Sequence, residues 1–212
     1  VMADFKISYE LLKEWENLNT KNGLIVYSNI PQDKGGETVL GVARNKNPNL
    51  SIWEEVDKIK NEYFPTQHVL TGSFSSGRRQ GTPLALATED LILLSNKILE
   101  NENITKVAEY FFENNYWKKL KCDIVEHQDF ASNLFLLGVN AGIKRAIKVG
   151  QKSCGVAEDG IIGKRTIKAW REAGIKECKK FTEIEIKYYE SIIIKDPSQA
   201  RFRIGWLKRA NA

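Results

Sequence analysis

Apolar residues recur at three- and four-residue spacing along most of the chain, a pattern typical of amphipathic α-helices. The first such stretch contains Phe5, Tyr9 and Leu12 and predicts a helix over about residues 4–18. The same spacing predicts further helices in the rest of the chain. Their expected ranges are about 52–63, 88–101, 104–120, 128–137, 142–151, 163–173 and 182–194. We therefore expect a mainly α-helical protein.

Two of these helices are preceded by the capping-box pattern. Ser51 is followed three residues later by Glu54, and Thr182 is followed in the same way by Glu185. In a capping box the hydroxyl and the carboxylate each accept a hydrogen bond from a backbone N–H group of the first turn. The pattern therefore predicts that the two helices begin just after Ser51 and just after Thr182.

Residues 19–50 do not follow the helical pattern. They are rich in Asn, Gly and Pro and contain the β-favouring run Leu24-Ile25-Val26-Tyr27. This composition predicts a short hairpin or an extended lip and not a full sheet. Residues 66–83 have no periodicity either, and they predict a long loop.

The composition is ordinary for a globular chain of one compact domain or two small ones, with 212 residues, 42% hydrophobic and 28% charged. A net charge of +5 favours an anionic partner. The lysines and arginines look scattered along the chain, with no helix that collects them on one face, so we expect no nucleic-acid partner. Three cysteines without a Cys-x-x-Cys motif and two isolated histidines predict free thiols and no metal site.

Candidate chemistry lies in and after the last turn of the first helix. There the negative end of the helix dipole and the neighbouring Trp15 favour the protonated form of Glu16, as a general acid requires. Asp33 and Thr38 bracket the pair Gly35-Gly36, where the backbone can approach a ligand closely. Two carboxyl groups and a hydroxyl around a glycine turn can hold and activate a water beside a glycosidic bond.

Several segments form a recognisable series along the chain. They are Trp15-Glu16-Asn17, Tyr27–Arg44 with its Asp-Lys-Gly-Gly-Glu-Thr core, Tyr116-Trp117, Gln128–Gly142, Asp159–Thr166 and Phe202–Arg209. In this order they resemble the motifs of glycoside hydrolase family 108, the N-acetylmuramidases of phage and secretion-associated loci. The resemblance covers nearly the whole chain. It implies a lysozyme-like fold, with a helical body and a small β lip over a cleft.

The resemblance also implies a nominal division into two parts that share one core. Residues 1–118 would be the lysozyme-like catalytic part, and residues 119–212 a helical peptidoglycan-binding-like part. The implied partner is the glycan strand of peptidoglycan. No membrane span is expected, because no apolar run approaches about 18 residues.

The implied reaction is hydrolysis of the β-1,4 bond between N-acetylmuramic acid and N-acetylglucosamine. Glu16 would protonate the leaving oxygen, and Asp33 and Thr38 would position a water or stabilise the transition state. Whether the anomeric configuration is inverted or retained stays open, and the likeness to phage-type lysozymes favours inversion. No metal or cofactor is expected. The implied substrate contacts are Tyr27, Gly35, Gly36, Trp117 and Asn140.

The region around the acid departs from the family pattern. Glu16 is not followed by the family's Gly-Gly pair, and sixteen residues separate it from Asp33, a longer gap than usual. An insertion within residues 18–26 accounts for the longer gap. Another alignment places Asn22-Gly23 at the family's Glu-Gly position. In that case the acid is missing, and the chain is a peptidoglycan-binding module without catalytic activity.

The N-terminal residues lead directly into a helix, without the hydrophobic core of a secretory signal. We therefore expect synthesis in the cytoplasm without a classical signal peptide, and action on the cell wall after release or export. A phage endolysin and a secreted effector both fit this expectation. An immunity or secretion partner is possible for the effector, and the sequence does not identify one.

Overall fold

The computed structural model describes residues 1–16, 26–29, 35–65 and 88–210, and it describes the backbone alone for Trp15, Glu16, Thr88, Phe202, Lys208 and Arg209. The described part is mainly helical with one small antiparallel sheet, which confirms the predicted fold class. Its helices are α1 (Phe5–Glu16), α2 (Ile52–Tyr63), α3 (Thr88–Glu100), α4 (Glu102–Phe112), α5 (Gln128–Ala141), α6 (Ile143–Ser153), α7 (Lys164–Arg171), α8 (Ile175–Lys195) and α9 (Arg203–Ala210). Its strands are β1 (Tyr27–Ser28), β2 (Thr38–Val39) and β3 (Val42–Ala43).

Helix α2 has the predicted bounds, but it does not begin with the predicted capping box. Ser51 has helical backbone angles, with φ −61° and ψ −17°, and its side chain makes no capping hydrogen bond. An N-cap residue needs an extended backbone for its hydroxyl to reach the N–H groups of the first turn. The acidic side chains of Glu54 and Glu55 in the first turn still favour this helix end, because they lie at the positive end of the dipole.

The start of α8 differs more strongly from the prediction. The helix begins at Ile175, seven residues before Thr182, and the Glu177 carboxylate caps it by accepting a hydrogen bond from the Gly174 N–H at 3.0 Å. The predicted capping box lies inside the helix. There Glu185 is only 4% exposed and accepts a hydrogen bond from a tyrosine hydroxyl at 3.0 Å. The pattern was misleading because its carboxylate serves a buried contact.

The predicted helix over 104–120 is interrupted. After α4 the backbone widens into a π-helical segment, Glu113–Trp117, and Lys118 donates its N–H to the Glu113 carbonyl at 2.9 Å. A π-helical segment contains an extra residue per turn and so rotates the side chains that follow it. It brings Trp117 to a buried position, with 3% of the residue exposed.

The chain divides into two compact units. One consists of Val1–Leu12 and Phe112–Ala212 and is called the helical unit below. The other is Lys13–Phe111 and is called the lip unit, because it contains the sheet. Among the described residues, no helix is both long and apolar enough to cross a bilayer.

Helix α5 lies at the centre of the helical unit. Every residue from 130 to 138 is buried, and α6 and α8 pack against the helix. Phe130 makes edge-on contacts with the rings of Trp170 and Phe181, with centroid distances of 6.4 and 5.9 Å. A helix that is apolar all round can be stable only when other elements cover each side. The neighbouring helices therefore cover this central helix on each of its sides.

The sheet of the lip unit has the strand order β1-β2-β3, with both neighbours antiparallel. The turn between β2 and β3 is Leu40-Gly41, and both residues have positive φ, 48° and 79°. Two consecutive positive φ values are typical of the tight hairpin turns that match strand twist. Val39 and Val42 next to this turn are fully buried and anchor the hairpin. The structure thus confirms the predicted small β lip.

Candidate active site

The glycine pair before β2 forms the predicted tight turn. Gly36 has a φ of +64°, a conformation that glycine adopts without a steric penalty. The backbone N–H of Asn45 donates to the Gly35 carbonyl at 3.1 Å, and that of Arg44 donates to the Glu37 carbonyl at 2.8 Å. The turn is therefore fastened on both sides of Gly36 to the 3-10 helix that follows β3.

Thr38 begins β2 directly after this turn and is half-buried. Its hydroxyl donates a hydrogen bond to the Gly36 carbonyl at 3.4 Å. A threonine hydroxyl that donates one hydrogen bond can still accept others through its oxygen. Thr38 is thus placed at the glycine turn, as predicted, with an oxygen that suits a water or a sugar hydroxyl.

A cluster of charged residues holds the turn against α2. Glu37 is 8% exposed and accepts hydrogen bonds from the buried ammonium of Lys60 and, at 2.7 Å, from Arg44. Arg44 also binds both carboxylate oxygens of Asp57, at 2.8 and 2.5 Å. These four residues are called the lip cluster. Because both Glu37 oxygens face cations, this carboxylate is a structural anchor of the turn and a poor candidate for proton transfer.

Tyr27 of β1 packs against the lip cluster. It is 7% exposed, and the Lys60 ammonium lies 5.6 Å from the centre of its ring. Burial, and then the charge of Glu37 and a hydrogen bond to it, raise the pKa of the Tyr27 hydroxyl far above its usual value. The hydroxyl therefore stays protonated and supports the Glu37 carboxylate. The contact of Tyr27 with a substrate stays a prediction.

Hydrogen bonds to Asp57 and to Glu37 raise the pKa of Arg44 above its already high value, against the opposing effect of partial burial. Its guanidinium also lies 5.2 Å from the centre of the Trp53 ring. Arg44 is thus a permanent cation between two carboxylates and an aromatic face. The lip cluster gives no local signal in the sequence, because Glu37 is 7 residues from Arg44 and 23 residues from Lys60, and these three residues come from different elements.

The two predicted carboxyl groups of the reaction are not both described. Glu16 is the last described residue of α1, and residues 17–25 after it lie outside the described part of the chain. Asp33 lies outside the described residues, as do Asn22 and residues 66–83. The roles of Glu16 and Asp33, and the distance between their carboxyl groups, stay predictions.

Trp117 and Asn140, two predicted substrate contacts, lie in the helical unit and have partners there. The Trp117 ring packs edge-on against Phe5 and Phe135, with centroids 5.7 and 6.0 Å apart. The Asn140 amide donates a hydrogen bond to the Tyr189 hydroxyl at 2.6 Å. Both side chains thus contribute to the packing of this unit. Their contact with a substrate stays a prediction.

A buried glutamine holds the Asp-Gly turn between α6 and α7. Gln151 is 1% exposed, and its amide nitrogen donates to Asp159 Oδ1 at 2.7 Å, to the Ile161 carbonyl at 3.0 Å and to Thr166 Oγ1 at 3.2 Å. Its oxygen accepts the Gly160 N–H at 2.9 Å. The motif was visible in the sequence, but Gln151 was not, because a single glutamine in a helix gives no local signal.

The helical unit also contains a cavity of about 510 Å³ lined in part by a cysteine and a histidine. The Cys178 sulfur lies 3.5 Å from His127 Nδ1. Burial, and then the charge of Asp129, raise the pKa of the Cys178 thiol to about 12. Since the thiolate is the reactive form, this pair is not an activated nucleophile at neutral pH. Within the described ranges, no group of three or more His, Cys, Asp and Glu residues is arranged to hold a metal ion.

The glycine turn predicts a specific effect on stability. A Cβ atom at Gly36 would lie 2.6 Å from the Asn45 amide nitrogen, and the φ of +64° is strained for any other residue. We expect Gly36→Ala to lower the free energy of unfolding by about 1–3 kcal/mol, measured by thermal or urea denaturation. The matched control is Gly205→Ala in α9, where a Cβ meets no atom within 4 Å. Equal stability of wild type and Gly36→Ala would show that the turn is not held as described.

Two protein families match the chain, one in each of two successive segments. Residues 18–142, more than half of the chain, match the Glycosyl hydrolase 108 family. The chain belongs to this family. Residues 144–211 match a second family, described as a predicted peptidoglycan domain. The resemblance found from the motifs is thereby confirmed, and the two matches together indicate a glycosidase with peptidoglycan of the cell wall as its target.

Among solved structures, the chain is similar to one described as the structure of Brucella abortus SagA. The two share 18% sequence identity and a TM-score of 0.45, over 98% of this chain and 96% of that one. No curated protein matches the chain.

Proposed function

We propose that this protein is an N-acetylmuramidase, which hydrolyses the β-1,4 bond between N-acetylmuramic acid and N-acetylglucosamine in peptidoglycan. The observation that supports it best is the family match over residues 18–142, which includes the whole glycine turn and the lip cluster. A glycosidase needs one group that protonates the leaving oxygen and another that activates water or stabilises the charged sugar. The proposed roles below follow this requirement.

Glu16 is the proposed general acid. It belongs to α1, and the sequence predicts that it lies in the last turn of this helix, where the negative end of the helix dipole favours the protonated carboxyl group. Asp33 and Thr38 are proposed to position the attacking water, and the place of Thr38 at the Gly36 carbonyl supports this role. We assign this chemistry to residues 1–118 and the holding of the polymer to residues 119–212. The proposed site of action is the cell wall, reached by release or by export.

A second function has a specific observation in its favour. The family match begins at residue 18, two residues after Glu16. If Asn22 occupies the position of the family's acid, the reaction lacks its proton donor. The protein is then a peptidoglycan-binding module that holds the polymer without cleaving it.

One experiment separates the two functions. Purified protein is incubated with insoluble sacculi, and the bound protein in the pellet and the sugar fragments in the supernatant are measured together over time. If the protein is a muramidase, we expect bound protein in the pellet and a steady release of soluble fragments. Binding without any release would establish the second function and would overturn the first.

A further inference from the structure

The positive charge of the chain is concentrated in one segment. Residues 143–180 contain 11 Lys and Arg against 4 Asp and Glu, a net charge of +7. The other 174 residues have a net charge of −2. The expectation of scattered basic residues was therefore wrong, and any affinity of this chain for anions resides mainly in α6, α7 and the start of α8.

Helix α6 collects its basic residues on one side. Lys144, Lys148 and Lys152 follow each other at four-residue spacing, and Arg145 lies beside them on the same face. Lys144, Arg145 and Lys152 are exposed, and Lys148 is half-buried. The opposite side of the helix is buried against the rest of the helical unit. Its solvent-facing side is therefore a row of cations.

Helix α7 repeats this arrangement. Lys164, Lys168 and Arg171 lie on one face at i, i+4 and i+7, and Thr166 and Trp170 on the opposite face are buried. Every exposed residue of this helix is a lysine or an arginine. At a rise of about 1.5 Å per residue, the three charges of the face extend over about 10 Å. Such a row suits a polymer with repeated anionic groups.

The α6 row covers the Asp-Gly turn that leads into α7. A Cβ atom at Gly160 would lie 3.2 Å from Lys144 Cγ and 3.4 Å from Lys148 Cε, so both lysine stems cover this turn. Gln151 holds the turn from the other side, as described above. The two rows on the successive helices α6 and α7 are together called the basic surface, which consists of Lys144, Arg145, Lys148, Lys164, Lys168 and Arg171.

Few acidic residues neutralise this surface. Within residues 143–180, the described ion pairs are Lys152 with Glu158 at 3.3 Å and Lys168 with Glu172 at 4.0 Å, both between exposed side chains. Lys164 and Arg171 pair with no acidic residue in the described part of the chain. Exposed cations without partners can bind an external anion without breaking an internal contact.

We propose that the basic surface binds the carboxylates of the peptide stems of peptidoglycan. The sugar hydroxyl and acetamido groups of this polymer are neutral, so the stems supply its negative charge. The match to the predicted peptidoglycan domain, residues 144–211, contains the whole surface. The inference deepens the proposed function, because it names the part of the same polymer that the helical unit recognises. Several weak contacts to one strand add up to a stable attachment.

The test compares two triple variants with the wild type on sacculi treated with hydrofluoric acid, which removes phosphate polymers. Lys164→Gln/Lys168→Gln/Arg171→Gln removes the α7 row. Lys58→Gln/Lys106→Gln/Lys119→Gln removes the same charge from exposed positions outside the surface. The first variant should bind about tenfold more weakly, with a smaller effect of added salt, and the second like the wild type. Thermal melting confirms that both variants are folded.

A second arm identifies the anion. Amidation of the stem carboxylates with carbodiimide and ammonia should reduce wild-type binding to the level of the α7 variant. Unchanged binding after amidation, or equal weakening by the control triple, would overturn the proposal. Preferential binding to phosphate-bearing sacculi, anionic lipid vesicles or duplex DNA would overturn it as well. Cleavage of peptide-free glycan strands is measured in parallel. If the wild type does not cleave these strands, the proposed muramidase activity is contradicted. The binding measurements then still test whether the basic surface binds the stem carboxylates.

Discussion

Glu16→Gln lowers the rate of peptidoglycan hydrolysis about 10²- to 10⁴-fold if Glu16 is the general acid. Glutamine has nearly the same shape and forms similar hydrogen bonds, but it has no proton to give to the leaving oxygen. The rate is measured as new reducing ends released from sacculi. Glu14→Gln is the matched control, because Glu14 lies on the same helix and is exposed. Its rate is expected to equal that of the wild type.

A second substrate separates an acid from a residue that only supports the fold. An aryl glycoside with a weakly basic leaving group departs without protonation, so Glu16→Gln should cleave it at nearly the wild-type rate. The loss of rate at high pH, which reports deprotonation of the acid, should also disappear in the variant. Equal losses on both substrates would assign Glu16 a structural role.

Lys60→Met is expected to lower the free energy of unfolding by about 3–5 kcal/mol, because it leaves the Glu37 carboxylate buried with half of its charge partners removed. The two side chains are each 8% exposed. The measurement is urea denaturation followed by circular dichroism. The control is Lys58→Met on the same helix, whose side chain is 68% exposed and whose loss should cost less than about 1 kcal/mol.

The double variant Glu37→Gln/Lys60→Met shows whether the two residues are coupled. If they form a buried pair, its destabilisation is smaller than the sum of the two single effects. Additive effects would mean that Glu37 and Lys60 do not act on each other, and the description of the lip cluster would be wrong.

Local patterns were enough to predict most of the architecture. The bounds of α2 and the small hairpin before it follow from apolar spacing and turn residues, which depend on neighbours along the chain. Where a residue has two possible uses, local patterns fail. Thr182 and Glu185 have the sequence of a capping box, yet the buried contact of Glu185 keeps them inside α8. The residue that caps α8 is Glu177, and its local sequence predicts a helix start no more strongly than that of Thr182 and Glu185 does.

Contacts between residues that are distant in the sequence could not be predicted from local patterns. Glu37 and Lys60 are 23 residues apart, and only the packing of α2 on the lip brings them together. The basic surface was missed for another reason. Counted along the chain, Lys164, Lys168 and Arg171 look dispersed, and they form one face only when the helical period is applied to α7. The glycine turn is the part of the site that both the sequence and the structure describe, and the role of Glu16 stays a prediction.

The most direct measurement is the identity of the reducing ends that the wild-type protein creates in purified sacculi. The digest is reduced with borohydride, hydrolysed, and analysed by mass spectrometry for the two amino-sugar alcohols. A muramidase leaves N-acetylmuramic acid at each new reducing end, so the account predicts muramitol. Glucosaminitol as the product would show cleavage of the other glycosidic bond, and it would contradict the proposed substrate position and reaction of this protein.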